Sequence, residues 1–457
     1  MSFQRLRTFD YVAKPFVRIV EKCYPDAFIF VIILSVLTYV LAIWIAGASH
    51  TEAILAWGDG LPKLFNFTAQ ITLIMIGAHA LAHTKPLENL LNRVGKLPRT
   101  SFQAYALVTF CSGCASLIAW SLGLIVGGIL SKFVALGCLK RKIKIHYPLL
   151  VASAYSGYVI WHMGYSSSSA LFVSTPGHML ENKIGVLPVT ETIFSSFNIF
   201  LAFFTLFIIT LVNPLMKPKD DESIQIKEKA LKSNKISSKD NLNQSTNNFL
   251  DTIENKRYLS LFLGLIIFIY ISISYYTNGF FLTLSHVSFT FLAVGLLLAN
   301  SPMHYVKLVN DASKTVGPII LQYPFYAGIM GIMGNTELLG VVSDWITSIS
   351  SKETLGFYSF LSAGIVNMFI PSGGGQWAVQ GPVMIEAAQS LNVDPSIIVL
   401  GVSYGDQWTN MIQPFWTIPL LAIAGLHMRQ IMGYTFVIFI VTGIIFGSSM
   451  LYLGHYS

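Results

Sequence analysis

Nine stretches of this chain are apolar over lengths that can cross a bilayer, and that fact leaves few folds open to it. They lie near residues 26–46, 65–83, 147–171, 192–214, 258–276, 283–299, 316–334, 397–421 and 431–453. A membrane-spanning helix needs ~20 mainly apolar residues. Across all 457 residues, 53% are apolar and 11% charged, with a mean hydropathy of +0.61. Soluble domains carry roughly a quarter charged residues, so an ordinary soluble fold is excluded. The first stretch is not a cleavable signal peptide, despite Ala46-Gly47-Ala48, because a signal core runs only ~7–15 residues. The four Cys cannot frame a chain of this size with disulfides. Cys111 and Cys114 sit in an apolar stretch with no second pair, and His79 and His83 lack a third ligand, so no metal site is expected.

The formal net charge of +7 would suggest nucleic acid in a soluble protein. In a membrane protein, Lys and Arg gather in cytoplasmic loops, so the basicity is read as topology and no nucleic-acid partner is expected. Residues 1–24, with Arg5, Arg7, Lys14, Arg18 and Lys22, form a cytoplasmic N-terminal segment. Residues 217–257, rich in Lys, Ser and Asn, form a cytoplasmic hydrophilic linker. Stretches 101–131 and 355–390 resist a simple spanning assignment. Lys85, Arg93, Lys96 and Arg99 precede the first, and Lys132, Lys140, Arg141, Lys142 and Lys144 follow it. Both flanks belong on one side, which a re-entrant hairpin satisfies and a single crossing does not. Ser112, Gly113, Ser116, Ser121, Gly123, Gly127 and Gly128 are expected to supply the breaks. Irregular backbone at membrane depth needs protein or a water-filled cavity around it, so such a hairpin points to a transport site.

The two halves look alike. Gly77 and Gly328, Gly123 and Gly373, and Tyr155 and Tyr404 pair at a nearly constant offset. The nine basic residues flanking the first hairpin have only Lys352 as a counterpart in loops 335–354 and 391–396. Equivalent loops therefore lie on opposite sides, as in inverted-topology transporters whose substrate sits near the midplane. The expected fold is an all-α polytopic membrane protein of two inverted-topology repeats, residues 25–216 and 283–457. It has about nine spanning helices, two re-entrant hairpins and interrupted helices, with 258–282 as the connecting helix.

Three motifs could carry chemistry. Asn367-Met-Phe-Ile-Pro371 leads into Ser372, Gly373, Gly374, Gly375, Gln376, Trp377 and Gln380. Pro and three glycines break a helix, and the freed amides at the next helix start suit a carboxylate. No Lys or Arg follows the glycines, so a nucleotide phosphate loop is excluded. A plain kink is the alternative; the buried amides Asn367, Gln376 and Gln380 argue against it, since such groups need partners. The second motif holds Asp406, Gln407, Trp408, Asn410, Gln413 and Trp416. A charge such as Asp406 inside a membrane costs ~2.5–3.5 kcal/mol on insertion scales and usually has a functional reason. It would hold a coupling proton or cation, or accept hydrogen bonds from an interrupted helix. Trp408 and Trp416 would line an acyl pocket or anchor at an interface. The third motif places His162 before a broken helix whose hydroxyls, Ser166, Ser167 and Ser168 with Ser169, would serve a ligand; His162 would titrate or be a satisfied interior His.

At these residues the chain resembles the AtoE family of short-chain fatty acid transporters. The resemblance is carried by Pro371-Ser-Gly-Gly-Gly-Gln-Trp-Ala-Val-Gln-Gly-Pro382, Tyr404-Gly-Asp-Gln-Trp-Thr-Asn410 with Gln413-Pro-Phe-Trp416, and Gln322-Tyr-Pro-Phe-Tyr-Ala-Gly328. It implies a bacterial inner-membrane carrier for small monocarboxylates such as acetoacetate or butyrate. Asp406 stands where that pattern favours Glu, and Trp161-His-Met-Gly164 with the Ser run stands where it favours more Gly. The expected activity is secondary active transport by H⁺ symport, without a cofactor and with Asp406 and His162 as coupling residues. The alternative is a Na⁺-coupled dicarboxylate carrier or ion exchanger of the same fold. No convergent catalytic set supports an enzyme. The carrier would work in the lipid bilayer on a small monocarboxylate, singly or as a homodimer.

Overall fold

The computed structural model describes residues 27–174, 177–178, 180–226, 254–278, 284–314, 316–371 and 373–456. The N-terminal segment 1–24, the linker beyond Ile226 as far as residue 253, and the expected anion-site residue Ser372 lie outside them. All regular elements among the described residues are helical.

In the first half, α1 (Ala27–Trp44), α2 (His50–Gly60), α3 (Phe65–Ala82) and α4 (Lys85–Gly95) precede a hairpin of α5 (Ser101–Ile118) and α6 (Trp120–Lys140). An interrupted helix follows: α7 (Tyr147–Ser156), a 3₁₀ segment at Gly157–Met163, and α8 (Ser168–Val173). Helix α9 (Ser196–Leu215) ends the half, and α10 (Arg257–Asn278) stands between the halves. The order then recurs. Helices α11 (Leu284–Leu298), α12 (Pro302–Ser313), α13 (Gly317–Asn335) and α14 (Leu338–Ser348) precede a hairpin of α15 (Leu355–Asn367) and α16 (Gly373–Ser390). Helix α17 (Pro395–Thr409), a turn at Asn410–Ile412 and α18 (Pro414–Ala424) form the second interrupted helix, and α19 (Met432–His455) is last.

Helices α5, α6, α9, α10 and α19 are long and apolar enough to cross a membrane, and α1, α3, α11, α15 and α18 contain shorter apolar runs. The stretches 147–171 and 397–421 are each two short helices rather than one span. Large apolar side chains face outward, among them Ile33 and Val36 on α1, Phe200 and Phe203 on α9, and Phe262 and Ile269 on α10. Apolar surface on this scale requires lipid as its solvent.

Local chemistry explains the ends. Ser49 and Glu52 close α2 with a capping box, and Thr100 caps α5 by accepting from the Gln103 N–H. The hairpin α5–α6 turns at Ala119, whose backbone is extended at φ −155° and ψ 134°. This corrects the expectation for the seven Ser and Gly residues flanking the turn, all of which lie within continuous helix. They zip the arms instead: a Cβ on Gly123 would stand 1.9 Å from Ser116 Oγ, and Ser112 Oγ donates to Gly123 O at 3.0 Å. Small residues allow this approach, which drives association where lipid removes the hydrophobic force between helices.

Short, amphipathic α4 is bolted to the far end of the hairpin. Gly95 packs on Gly137, where a Cβ would come within 2.2 Å of Gly95 O. The Arg141 guanidinium donates to the carbonyls of Gly137 (2.9 Å), Lys96 (2.7 Å), Gly95 (3.3 Å) and Pro98. The halves interlock, with α6 packed on α18 and α16 on α8. Gly405 on α17 lies against α15, where a Cβ would be 2.1 Å from Phe360 O. Substituting Val there must push α15 and α17 apart. Thermal unfolding in detergent is expected to show a loss of about 1–3 kcal/mol for Gly405→Val. Gly334→Ala, in helix with open space around it, should be neutral or mildly stabilising.

Candidate functional site

The two interrupted helices meet where each loses its regular hydrogen bonds, and a cluster of fully buried polar groups collects there. Gly157–Met163 tightens into 3₁₀ geometry, then Gly164–Ser167 breaks before α8. The break is held from outside. Asn198 Nδ2 donates to Met163 O at 2.9 Å, Tyr165 N–H to Leu117 O at 2.8 Å, and His162 N–H to Gln407 Oε1 at 2.9 Å. In the second half, Gln413 is extended ahead of Pro414, and its Nε2 donates to Asn367 O at 2.5 Å.

Between these breaks, His162 Nδ1 lies 2.8 Å from Asp406 Oδ2, both side chains essentially without solvent exposure. The Ser169 N–H approaches His162 Nε2 at 3.4 Å. That contact suits Nε2 as an acceptor, and Nδ1 is the ring nitrogen that faces the carboxylate. Trp161 stacks beside the imidazole, with ring centroids 4.0 Å apart. The approach of His162 to Asp406 is a charge contact: His162 Nδ1 and both Asp406 carboxylate oxygens make no hydrogen bond among the described residues.

Helix α16 begins against this pair. A Cβ on Gly373 would lie 2.8 Å from His162 Cε1, 2.9 Å from Asp406 Oδ2 and 3.0 Å from the Trp161 ring. Only glycine fits, and it brings the positive end of α16 to the carboxylate. From Gly374, a Cβ would be 3.8 Å from Ser168 Cβ, so the starts of α8 and α16 face each other. Asn367 ties the break to α17: its Nδ2 donates to Asp406 O (2.7 Å), Thr409 Oγ1 (2.9 Å) and Asn410 Oδ1 (2.7 Å).

An aromatic wall adjoins the pair. Tyr158 stacks on Trp161 at 5.9 Å and lies 5.8 Å from Trp416, which meets Trp120 of the first hairpin tip at 5.0 Å. Phe415 stacks on Tyr323 at 4.2 Å and meets Tyr326 edge-on at 4.9 Å. Several buried donors here have no protein partner among the described residues: Tyr158 Oη, Tyr326 Oη, Trp161 Nε1, Gln407 Nε2 and Asn410 Nδ2. Buried donors normally find acceptors, so this concentration marks a ligand site.

The expected site residues divide in three. Gly373, Asp406, His162, Asn410, Gln413 and Trp416 come together as described. Gln376 and Gln380 are bonded across the hairpin: Gln376 Nε2 donates to Ala363 O and Gln380 Oε1, and Gln380 Nε2 to Ser362 Oγ. Ser166 Oγ accepts from the Trp120 N–H at 2.9 Å and so caps α6. Ser167 is buried, Ser168 half-buried at the start of α8, and Gly374 and Gly375 half-buried in the first turn of α16. Trp377 is fully buried one turn further along α16, its indole N–H without a partner among the described residues. Trp408 lies away from the pair, stacked on Phe439 at 4.3 Å and donating to Phe439 O. Sequence reasoning names Gln407 and Trp161 within motifs without giving them a role, and does not select Tyr158, Asn198, Tyr323 or Tyr326 as site residues. Tyr323 and Tyr326 do fall within the signature Gln322–Gly328, where their presence in an apolar run was the available signal.

With this geometry in view, the comparisons with known proteins are direct. The profile of the family described as "Short chain fatty acid transporter" matches residues 8–453. A protein of Escherichia coli (strain K12) named for short-chain fatty acid transport is 36% identical over 94% of this chain and 96% of its own length. A Haemophilus influenzae protein named likewise is 33% identical, covering 96% of this chain and 97% of its own. Among solved structures, the Alcanivorax borkumensis YdaH transporter aligns over 94% of this chain and 98% of that one, at 13% identity and a TM-score of 0.44. The outward apolar helices identify a multi-pass membrane protein, and the relatives make it a transport protein rather than an enzyme. By the profile match and these two relatives, the chain belongs to the short-chain fatty acid transporter family.

Proposed function

We propose that the chain carries short-chain monocarboxylates, such as butyrate or acetoacetate, together with H⁺ across the bacterial inner membrane, with its N-terminus in the cytoplasm. One observation carries the reading: α16 begins at Gly373, in contact range of both His162 and Asp406. The α16 N-terminus attracts an anion, and an ionised Asp406 already supplies one. A second carboxylate about 4 Å away would be repelled by about 4 kcal/mol at an effective dielectric of 20. That exceeds the ~1.5–3 kcal/mol of a hydrogen bond to a charged group. A proton on the Asp406–His162 pair removes the repulsion, so proton and acid anion bind together.

The carboxylate would then meet the first-turn amides of α16, with Asn410 Nδ2 as a further donor, and the acyl tail would lie on Tyr158, Trp161 and Trp416. No Lys or Arg is among the residues gathered there. A second carboxylate would therefore go unpaired, which favours monocarboxylates over dicarboxylates. In the same reading the α5–α6 and α15–α16 hairpins are re-entrant and the halves inverted, supported by the recurring element order and the charge bias between matched loops. The pair is buried on all sides, so access from either face requires the hairpin arms to part.

Proteoliposomes with an inward proton gradient should accumulate labelled butyrate saturably, and replacing Na⁺ by choline should change nothing. A requirement for Na⁺ would support the Na⁺-coupled alternative instead. Asp406→Asn is expected to abolish proton-driven accumulation, with at least a roughly tenfold loss of uptake; uptake at the wild-type rate would remove Asp406 from the mechanism. Asn410→Ala should weaken acid binding about 10- to 100-fold, the equivalent of one charged hydrogen bond. In a thermal-shift series, C2 to C6 monocarboxylates should stabilise the protein and succinate should not.

A further inference from the structure

We propose that a groove between α5 and α9, on the outer face of the first half, binds an anionic phospholipid. The groove is a shallow one, open to the outside, of about 520 Å³, lined by Leu97, Arg99, Phe102, Ala106, Phe110 and Thr210, among others. Phe102, Ala106 and Phe110 recur every fourth residue, so they form one stripe along α5, about 12 Å long at 1.5 Å per residue. Phe102 is 38% and Phe110 51% exposed, and an acyl chain laid along the stripe would cover both.

The polar end chooses the head group. Arg99 is exposed; its backbone N–H donates to Gln103 Oε1 at 2.7 Å. Among the described residues its guanidinium has no hydrogen bond or ion pair. A guanidinium holds a phosphate through two parallel hydrogen bonds, and basic pockets between membrane helices on the cytoplasmic side recognise anionic head groups. Arg93 and Lys96 before α5, Lys140 at the end of α6, and Lys142 and Lys144 after it give the surroundings the same sign. Also lining the groove, Thr210 Oγ1 is buried with no hydrogen-bond partner among the described residues. A lipid ester carbonyl there would accept its proton. Charge at one end, an apolar stripe and a buried hydroxyl match the three parts of a diacyl phospholipid.

Because α5 is an arm of the first hairpin, the bound lipid would couple that arm to the bilayer. The test reads binding rather than uptake, so it is independent of the transport reading. The purified full chain in neutral detergent is titrated with phosphatidylglycerol or phosphatidylcholine of the same acyl chains, and adducts are counted by native mass spectrometry. Phosphatidylglycerol adducts are expected at a roughly tenfold lower lipid concentration. Arg99→Gln should erase that preference, and Ala106→Trp, which fills the groove, should reduce both adducts. Lys63→Gln, a change at an exposed lysine paired with Asn335, should leave the preference intact. Equal retention of the two lipids would overturn the proposal, as would an unchanged preference in Arg99→Gln. Displacement of the adduct by hexanoate, or by a second copy of the chain, would do the same.

Discussion

A helix can be broken at membrane depth only if something other than water satisfies the backbone it releases, and this structure is organised around meeting that condition twice. Each half supplies what the other lacks. The Gln407 side chain accepts from the His162 amide, and the Tyr155 hydroxyl donates to Asn410 O at 2.6 Å. Tyr404 donates to Asn198 Oδ1 at 2.8 Å, and Asn198 in turn holds the end of the 3₁₀ segment. Neither break would be tolerable in an isolated half. The site is therefore a product of their association, and the contact between His162 and Asp406 sits at its centre.

The outline of this arrangement was legible in the sequence because lipid imposes simple rules. Apolar run lengths placed the helices, and the clustering of Lys and Arg around 101–131 exposed the first hairpin. Pro371 with Gly373–Gly375 marked a break that the structure contains between α15 and α16, whereas the break at Gln413-Pro414 falls inside a stretch read as one span. Asp406 stood out because an acid in an apolar run is expensive. Of the aromatic wall, only Trp416 was legible in the same way. Tyr158, Trp161, Tyr323, Phe415 and Trp416 come from three separate segments, and an aromatic in a membrane stretch carries no mark that separates lining from packing.

Buried amides show the limit from the other direction. The sequence says that Asn367, Gln376 and Gln380 need partners, and the same rule applies to a buried Asn410, but it cannot say whether protein or ligand provides them. The structure divides them: both Gln side chains donate across the hairpin, whereas Asn410 Nδ2 has no protein acceptor among the described residues. Ser166 is similar, since its hydroxyl serves the first turn of α6. The glycines and serines of the first hairpin are expected to break the helix and instead lie within it at close contacts. Small side chains permit either, and only a neighbouring backbone decides which.

Arg141 belongs to the basic cluster from which the orientation of the first hairpin is read, where any positive charge would do. Its guanidinium also gathers carbonyls from the end of α4, the following turn and the last turn of α6. That second task needs a planar fork of donors, which an ammonium group does not have. Orientation and fastening thus place different demands on one side chain. The first tolerates an exchange of Arg for Lys and the second does not, so a substitution that preserves the charge map would still untie the surface helix from its hairpin.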